Sequence, residues 1–143
     1  MDSDYKDYRI SDDLQRIDFD KVTRWLAGTY WSPGIGRPEV EKGAKHSSLV
    51  IGAYDAQGRQ VGYARVASDK TRFAYIMDVF VESSHRNQGI AQVILRFALN
   101  HPEYQSVYQW LLATRDAHSV YSKLEFKPLP YPDRWMILNK GRA

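Results

Sequence analysis

Cysteine is absent from the 143 residues of this sequence. Its absence excludes disulfide bonds, zinc–thiolate sites, iron–sulfur clusters and thiol nucleophiles. No run of residues approaches the ~18–20 apolar positions that a membrane-spanning helix needs, and residues 1–10 lack the apolar stretch of a signal peptide. Glycine and proline are not in excess, which excludes collagen-like and low-complexity classes. We therefore expect a soluble, cytoplasmic protein that has no membrane partner.

A strong net charge of either sign is also lacking. The sequence has 20 Lys and Arg against 17 Asp and Glu, a net charge of +3. This positive charge is well below that of proteins that bind the nucleic-acid backbone. We expect no nucleic-acid partner, whereas a small anionic ligand would suit this charge. The four histidines show no metal-binding spacing, so we expect no metal site. The length is typical of one domain, and we expect a single domain over residues 1–143.

Segments with strand-like and helix-like patterns alternate along the chain. Strands are predicted at residues 8–10, 48–54, 60–67, 72–81, 107–113 and 134–138. Helices are predicted at residues 18–27, 39–45, 89–99 and 117–124. The three consecutive strands over residues 48–81 read as an antiparallel meander. The sequence therefore predicts an α/β (α+β) fold, in which helices cover both faces of one sheet.

The segment over residues 78–99 gives the strongest indication of a ligand-binding site. A buried strand runs into a short polar turn, and an apolar helix follows. Gly89 lacks a Cβ and Ala91 is small, so the backbone there can approach a ligand closely. Free N–H groups at the helix N-terminus and the charge of Arg86 favour a pyrophosphate. An ordinary strand-to-helix connection fits these residues equally well, and the segment is neither a dinucleotide fingerprint nor a P-loop.

Two motifs resemble those of the GNAT superfamily of N-acetyltransferases. The pattern Arg86-x-x-Gly89-x-Ala91 is similar to the family's acyl-CoA signature, Gln/Arg-x-x-Gly-x-Gly/Ala, and it follows a strand as that signature does. Some thirty residues later, Tyr-Ser-Lys-Leu-Glu-Phe at residues 121–126 resembles the family's Tyr-x-Lys-Leu-Gly-Phe segment. The resemblance implies a mixed, mostly antiparallel central sheet of six to seven strands along nearly the whole chain.

The resemblance also implies an activity. It implies a transferase that moves an acetyl group from acetyl-CoA, its donor co-substrate, to a primary amine by direct attack. We expect a small-molecule amine acceptor rather than a protein tail, and a monomer or a homodimer. An alternative from another class is a catalytically silent acyl-CoA sensor or interaction module. A thermal-shift comparison with acetyl-CoA, followed by an acetylation screen over amines, separates the two.

The resemblance places the cofactor along the 72–81 strand and in the turn that follows. One backbone N–H near Val79 would polarise the thioester carbonyl as an oxyanion donor, whereas the alternative is a fully paired strand. The residues that the resemblance assigns to acetyl-CoA binding are Val79, Phe80, Val81, Arg86, Asn87, Gln88, Gly89, Ile90, Ala91 and Thr114.

Three positions depart from the family's pattern. Asn87 replaces a frequent glycine, and Thr114 stands where many members carry an asparagine that contacts the cofactor arm. Glu125 stands where the family has glycine, so an altered turn is expected before Phe126.

Tyr121 is the candidate general acid. The resemblance implies that its hydroxyl protonates the departing CoA thiolate. A phenol with a pKa near ~10 is protonated at neutral pH and can donate to a thiolate. The alternative is a core tyrosine whose hydroxyl bonds the backbone.

Asp78 is an acid within an apolar run, and an unpaired buried carboxylate is costly. It is a candidate general base or an anchor for the acceptor amine, and an ordered water is the alternative base. The structural alternative is an acid paired with Arg65, Arg72 or a backbone donor. Strand alternation predicts that Asp78 faces away from Tyr75, Met77 and Val79. Tyr75 and Met77 match the positions at which family members often place their base.

Two adjacent aromatics, Tyr30 and Trp31, precede a Gly- and Pro-containing loop at residues 32–37. The resemblance places the acceptor site in this region. We expect Tyr30, Trp31 and Tyr75 to contact the acceptor. The alternative is that the two adjacent aromatics pack onto the core and the loop is merely mobile.

Overall fold

The computed structural model describes residues 1–141. These residues contain six strands that form one sheet in the order β1-β2-β3-β4-β5-β6. The first five strands pair antiparallel, and β6 pairs parallel to β5. The strands are β1 Asp2–Tyr5, β2 Tyr8–Ser11, β3 Leu49–Tyr54, β4 Gln60–Ser68, β5 Ala74–Val81 and β6 Trp110–Leu111.

Helices cover both faces of this sheet, as the sequence predicts. They are α1 Phe19–Ala27, α2 Arg37–Lys45, α3 Ile90–Leu99 and α4 His118–Ser122. On one face, α3 buries Ile90, Ile94 and Leu95 against the sheet. On the other, α1 and α2 pack with Val50 and Tyr63 in a second core cluster. The mixed, mostly antiparallel fold with six strands is confirmed.

The helix ends follow simple capping chemistry. Asp18 precedes α1, and its carboxylate accepts a hydrogen bond from the Lys21 N–H over 3.1 Å. Gly28 ends the helix. In α2, Pro38 occupies the first turn, where a missing N–H costs nothing, so the helix begins two residues before its predicted start at residue 39.

Strand β5 contains a bulge at Asp78, which has a φ of +56°. Met77 pairs with Arg65 on β4 and Phe80 pairs with Tyr63, so β5 has one residue more than β4 between the two pairs. Directly paired residues share a face, and both β4 partners lie on the side of α1 and α2. The bulge therefore turns Asp78 to the same face as Met77. The alternation-based prediction is therefore wrong for Tyr75 and Met77 but right for Val79, which packs on the opposite face with α3.

Two predicted strands differ from the structure. The strand predicted at residues 107–113 is reduced to Trp110–Leu111, and residues 134–138 form no strand. Within residues 1–141, no strand lies beside the 134–138 segment to hydrogen bond with it. A segment with high strand propensity does not form a strand unless another strand pairs with it. Strand β1, which the sequence analysis missed, pairs antiparallel with β2, and its Asp2 and Asp4 also form surface ion pairs with Arg9 on β2.

Candidate active site

The main cleft opens where β5 and β6 separate. The two strands pair only at Ala74 with Trp110 and at Tyr75 with Leu111, and they diverge beyond these pairs. The resulting cleft has a volume of about 1530 Å³. It is lined by residues 28–31, 75–81, 85–87, 89–92, 112–117, 120, 121 and 123.

One wall of the cleft is the edge of β5. After Tyr75, no described residue of β6 pairs with it, so residues 76–81 present main-chain groups to the cleft. The side chains of Val79 and Val81 pack toward the α3 core, whereas Phe80 stacks on Trp25 of α1 at 5.2 Å between ring centres. Val79, Phe80 and Val81 therefore line the cleft along the part of β5 that β6 does not pair with.

The N-terminus of α3 opens into the same cleft. Gly89 precedes the helix with a φ of +81°, and the first helical hydrogen bond runs from Val93 to Gly89. Among residues 1–141, no acceptor bonds the N–H groups of Ile90, Ala91 and Gln92. Three free donors at a helix N-terminus form an anion site, because the helix dipole adds partial positive charge there.

Arg86 supplies a full positive charge beside these donors. Its Nε donates to the Val81 carbonyl over 2.9 Å, and its guanidinium lies 5.3 Å from the Phe80 ring centre. The contact with the main chain fixes the stem of the side chain. The terminal nitrogens remain available to an anion in the cleft.

The turn before α3 is held by the N-terminal hairpin of β1 and β2, which the sequence analysis did not connect with it. The Tyr5 hydroxyl donates to the Gln88 carbonyl over 2.9 Å, and Lys6 Nζ lies 3.4 Å from the same oxygen. A Cβ on Gly89 would lie 2.7 Å from the Tyr5 hydroxyl. The space that Gly89 leaves is therefore filled by Tyr5 rather than kept for a ligand. Gln88 contributes its carbonyl to this contact and does not line the cleft.

Tyr121 faces the cleft from α4. Its ring is half-buried, and its hydroxyl makes no hydrogen bond with any residue of the described chain. Burial raises the pKa of this phenol, and the nearby Tyr30 and Asp116 add to the effect. A phenol in this setting keeps its proton through neutral pH and has that proton free to donate.

Asp78 is paired, as the structural alternative predicted. Arg65 donates from Nε to one carboxylate oxygen over 2.7 Å, and the Trp31 indole N–H donates to the other over 2.9 Å. Arg65 also reaches the hydroxyl of Ser47 at 3.2 Å. Asp78 thereby joins the cleft to a smaller cavity of about 370 Å³ between α2 and the sheet. The sequence named Arg65 only as a possible partner, and nothing in it pointed to Ser47.

The three residues predicted to bind the acceptor all line the cleft. The Tyr30 and Trp31 rings are perpendicular with centres 5.0 Å apart. Tyr30 accepts a hydrogen bond from the Arg115 backbone N–H over 3.0 Å, and the Arg115 guanidinium lies 3.9 Å from its ring centre. Tyr75 lines the cleft from β5. The loops that carry Tyr30 and Arg115 and strand β5 thus all contribute to the aromatic lining of the cleft.

Comparison with known proteins identifies the family. A profile for the acetyltransferase (GNAT) domain matches residues 46–128. A solved structure from Xanthomonas campestris pv. campestris, assigned to the GNAT family, is 34% identical, with a TM-score of 0.88 over 93% of each chain. No curated protein gives a significant match. The chain belongs to the GNAT family of acetyltransferases.

Other solved structures share the GNAT fold at lower identity. A protein from meticillin-resistant Staphylococcus aureus is 24% identical, with a TM-score of 0.75 over 93% of this chain and 98% of its own. A predicted acetyltransferase from Clostridium acetobutylicum, solved with acetyl-CoA, is 20% identical, with a TM-score of 0.67 over 92% of this chain and 94% of its own. At these identities the likeness establishes the fold alone.

The departures from the GNAT pattern are accommodated locally. Asn87 has a φ of +64°, a left-handed conformation that asparagine tolerates better than most residues. The Thr114 hydroxyl accepts a hydrogen bond from the Ala117 N–H over 3.0 Å, so it stabilises the start of α4 while lining the cleft.

Glu125 occupies the glycine position of the second GNAT motif and adopts the glycine conformation, with a φ of +70°. Phe126 N–H donates to the Tyr121 carbonyl over 3.2 Å, and Glu125 N–H donates to Ser122 over 3.0 Å. These two bonds, with the Tyr121 and Phe126 rings 6.3 Å apart, form a Schellman motif. The expected alteration of this turn is not found, and the motif fixes Tyr121 against Phe126.

Among residues 1–141, no group of three or more His, Asp or Glu side chains is arranged to hold a metal ion. No helix within the same residues is long and apolar enough to cross a membrane.

Proposed function

We propose that this chain transfers an acetyl group from acetyl-CoA to a primary amine of a small-molecule acceptor. One observation carries the proposal: the free main-chain edge of β5, the free N–H groups of α3 and the unbonded Tyr121 hydroxyl all face one cleft. An anion site, a row of backbone donors and a proton donor are what a CoA thioester needs for binding and for cleavage. We further propose that residues 1–143 act as a single domain.

The residues present fit acetyl-CoA. The N–H groups of Ile90, Ala91 and Gln92 would hold the pyrophosphate with Arg86, because free donors and positive charge converge there. The edge over residues 79–81 would hold the pantetheine arm, since its main-chain groups have no strand partner. Acetyl-CoA supplies the acetyl group as a thioester. Thr114 would contact the same arm from the opposite wall.

The chain's own groups supply the catalysis. A backbone N–H near Val79 would stabilise negative charge on the thioester oxygen, because a preorganised donor in a cleft costs no reorganisation. Tyr121 would donate its proton to the leaving sulfur, for which its raised pKa keeps it protonated. The aromatic surface of Tyr30, Trp31 and Tyr75 would orient the acceptor amine, which must be neutral to attack.

Asp78 would act by positioning the Trp31 side chain rather than by accepting a proton. Both of its oxygens already accept hydrogen bonds, one from Trp31 and one from Arg65. It therefore holds an acceptor-side aromatic in place, and the amine proton leaves through water in the open cleft. We propose this positioning role in place of the general-base and amine-anchor roles that the sequence left open.

An acetylation screen tests the proposal. Wild-type protein and Tyr121→Phe are incubated with acetyl-CoA and a panel of primary amines, and thiol release is measured. We expect amine-dependent release with wild type and a large loss with the variant. Tight acetyl-CoA binding without turnover on any amine would instead support the silent sensor.

A further inference from the structure

The smaller cavity between α2 and the sheet has no role in the proposed catalysis. Its volume of about 370 Å³ is near the lower end of the range for ligand pockets, about 300–1,000 Å³. Asp78 lines both this cavity and the main cleft, and the backbone N–H assigned to the thioester oxygen lies near Val79, the next residue. A molecule seated in the cavity would therefore need to pass only Asp78 to reach the thioester.

Arg65 supplies hydrogen-bond donors to this cavity. Its side chain is largely buried, at 19% exposed, and within residues 1–141 it donates to Asp78 over 2.7 Å and to the Ser47 hydroxyl over 3.2 Å. A guanidinium has more N–H groups than these two contacts use. Buried donors need acceptors, and a carboxylate matches the planar geometry of a guanidinium. The remaining N–H groups of Arg65 therefore favour a carboxylate in the cavity.

Gly43 keeps the space beside this guanidinium open. It lies within α2, where glycine is less stable than alanine because glycine loses more backbone freedom on folding. A Cβ on Gly43 would lie 3.5 Å from the Arg65 guanidinium, which is an ordinary van der Waals contact. The packing of α2 on Arg65 therefore does not require glycine, whereas a ligand beside Arg65 would need the space that a Cβ fills.

The other charges of the cavity limit what it would hold. Lys42 and Glu39 line it with opposite charges, and His46 lines it with a ring whose Nδ1 lies 2.9 Å from the Lys42 carbonyl oxygen. The charge of Arg65 is balanced by that of Asp78. With His46 uncharged, the charges of these side chains cancel. Such a cavity suits a single carboxylate bound by hydrogen bonds, and it disfavours a polyanion such as a phosphate ester.

We propose that this cavity binds a carboxylate of the acceptor, so that the acceptor is an amine with a carboxylate on a short apolar stem, as in an amino acid. Arg65 and Lys42 bind the carboxylate, and the amine end passes Asp78 into the main cleft. Apolar side chains of the cavity contact the stem, namely those of Leu26, Ile35 and Val40. This assignment rests on the proposed acetyl transfer and adds the chemical class of the acceptor.

The transfer itself is unchanged by this assignment. The neutral nitrogen of the acceptor forms an amide bond with the acetyl carbon, and the carbon–sulfur bond of the thioester breaks. The sulfur takes the proton of Tyr121, the amine proton passes to water, and the tyrosine regains a proton from water. The carboxylate takes no part in these steps, so its contribution is to bind and orient the amine.

Matched pairs of amines test the proposal. Wild-type protein is assayed with acetyl-CoA and with amino acids of increasing stem length, namely glycine, β-alanine, γ-aminobutyrate and leucine, each beside its uncharged amide. The kcat/KM of each amine is corrected for its neutral fraction, because the acid and the amide differ in amine pKa. We expect at least one acid to exceed its amide by about 10-fold or more in kcat/KM.

Three variants locate the carboxylate. Gly43→Ala fills the space beside Arg65 and favours the helix, so we expect an unchanged or higher melting temperature and a KM for the preferred acid raised by about 10-fold. Lys42→Met removes a cation of the cavity and should lower the preference for the acid over its amide by about 3–10-fold. Lys45→Met, at an exposed lysine of the same helix outside the cavity, should keep the wild-type values. Calorimetry with acetyl-CoA checks that the main cleft is intact in each variant.

The outcomes separate this proposal from the proposed function. Equal kcat/KM for every acid and its amide overturns the carboxylate assignment and leaves acetyl transfer to amines standing. A Gly43→Ala variant that keeps the wild-type KM for the preferred acid overturns the assignment to this cavity. Turnover of no amine of either kind contradicts the proposed function, and the carboxylate assignment then falls with it.

Discussion

Arg65 and Asp78 form an ion pair between β4 and β5, with 2.7 Å between Nε and a carboxylate oxygen. Their side chains are only 19% and 12% exposed, so little water reaches them and each charge is stabilised mainly by the other. The bulge at Asp78 creates the pair, because it turns this carboxylate to the face that Arg65 occupies. The same carboxylate accepts a hydrogen bond from the indole of Trp31, which lines the cleft.

Asp78→Asn tests whether this carboxylate is structural. The substitution leaves Arg65 without its counter-charge, and we expect it to lower the free energy of unfolding by about 2–4 kcal/mol. The residual activity should keep the pH profile of wild type. Asp116→Asn, at an exposed acid of the same cleft, is the control and should cost less than about 0.5 kcal/mol. Unchanged stability with a lost acidic limb of kcat would restore Asp78 as the general base.

Tyr5→Phe tests the link between the N-terminal hairpin and the α3 turn. The variant loses one hydrogen bond to the Gln88 carbonyl, worth about 0.5–1.5 kcal/mol. We expect the dissociation constant for acetyl-CoA, measured by calorimetry, to rise about 3–10-fold while kcat stays unchanged. Tyr131→Phe, at an exposed tyrosine outside the cleft, should leave both values as in wild type. Equal acetyl-CoA affinity in Tyr5→Phe and wild type would show that the hairpin does not shape the site.

Glu125→Gly should stabilise the protein. Glu125 holds a left-handed backbone at a cost of about 1–2 kcal/mol, and glycine adopts it freely. After glycine's own entropy loss, we expect a gain of about 0.5–1 kcal/mol in chemical denaturation. Asn87→Gly is the matched comparison at a second left-handed residue, and its gain should be smaller because asparagine tolerates this conformation. A loss of stability in Glu125→Gly would contradict the Schellman assignment.

Local sequence patterns predicted most of the helices and strands. Helices α1, α2 and α3 and strands β3, β4 and β5 lie within two residues of their predicted bounds. Their apolar spacing and caps act within a few residues of sequence. Strand β1 was not predicted because its sequence is polar, and it forms only by pairing with β2 across the hairpin.

In the candidate site, too, the sequence predicted the residues of local motifs and missed the contacts between distant residues. Arg86, Gly89 and Tyr121 belong to contiguous motifs, so the sequence indicated them. Tyr5 approaches Gln88 from 83 positions away, which only the folded sheet reveals. The face of Asp78 was mispredicted because a bulge, invisible to strand alternation, inserts one residue into β5.

Two buried tyrosines predict how stability depends on alkaline pH. The Tyr54 and Tyr63 hydroxyls are buried without a partner in the described structure, and burial raises the pKa of Tyr54 to about 12 and raises that of Tyr63 as well. Above pH ~10 the unfolded chain loses these protons while the folded chain keeps them. The free energy of unfolding should therefore fall as pH rises, by about 1.4 kcal/mol per pH unit for each phenol.

Tyr54→Phe isolates one of these phenols. Denaturation measured between pH 8 and pH 11 should show an alkaline decline shallower than that of wild type by about 1.4 kcal/mol per pH unit. At pH 8 the two proteins should be similar, because the lost hydroxyl had no partner. Identical declines in wild type and variant would show that Tyr54 ionises in the folded protein.

The turnover of Tyr121→Phe tests the central claim most directly. The hydroxyl has no partner in the described structure, so its removal should leave stability and acetyl-CoA affinity unchanged. If it protonates the leaving thiolate, kcat on a verified amine should fall by about 10²–10⁴-fold. Tyr131→Phe, outside the cleft, controls for the substitution itself. A kcat for Tyr121→Phe within about twofold of wild type would contradict the account and place the general acid elsewhere.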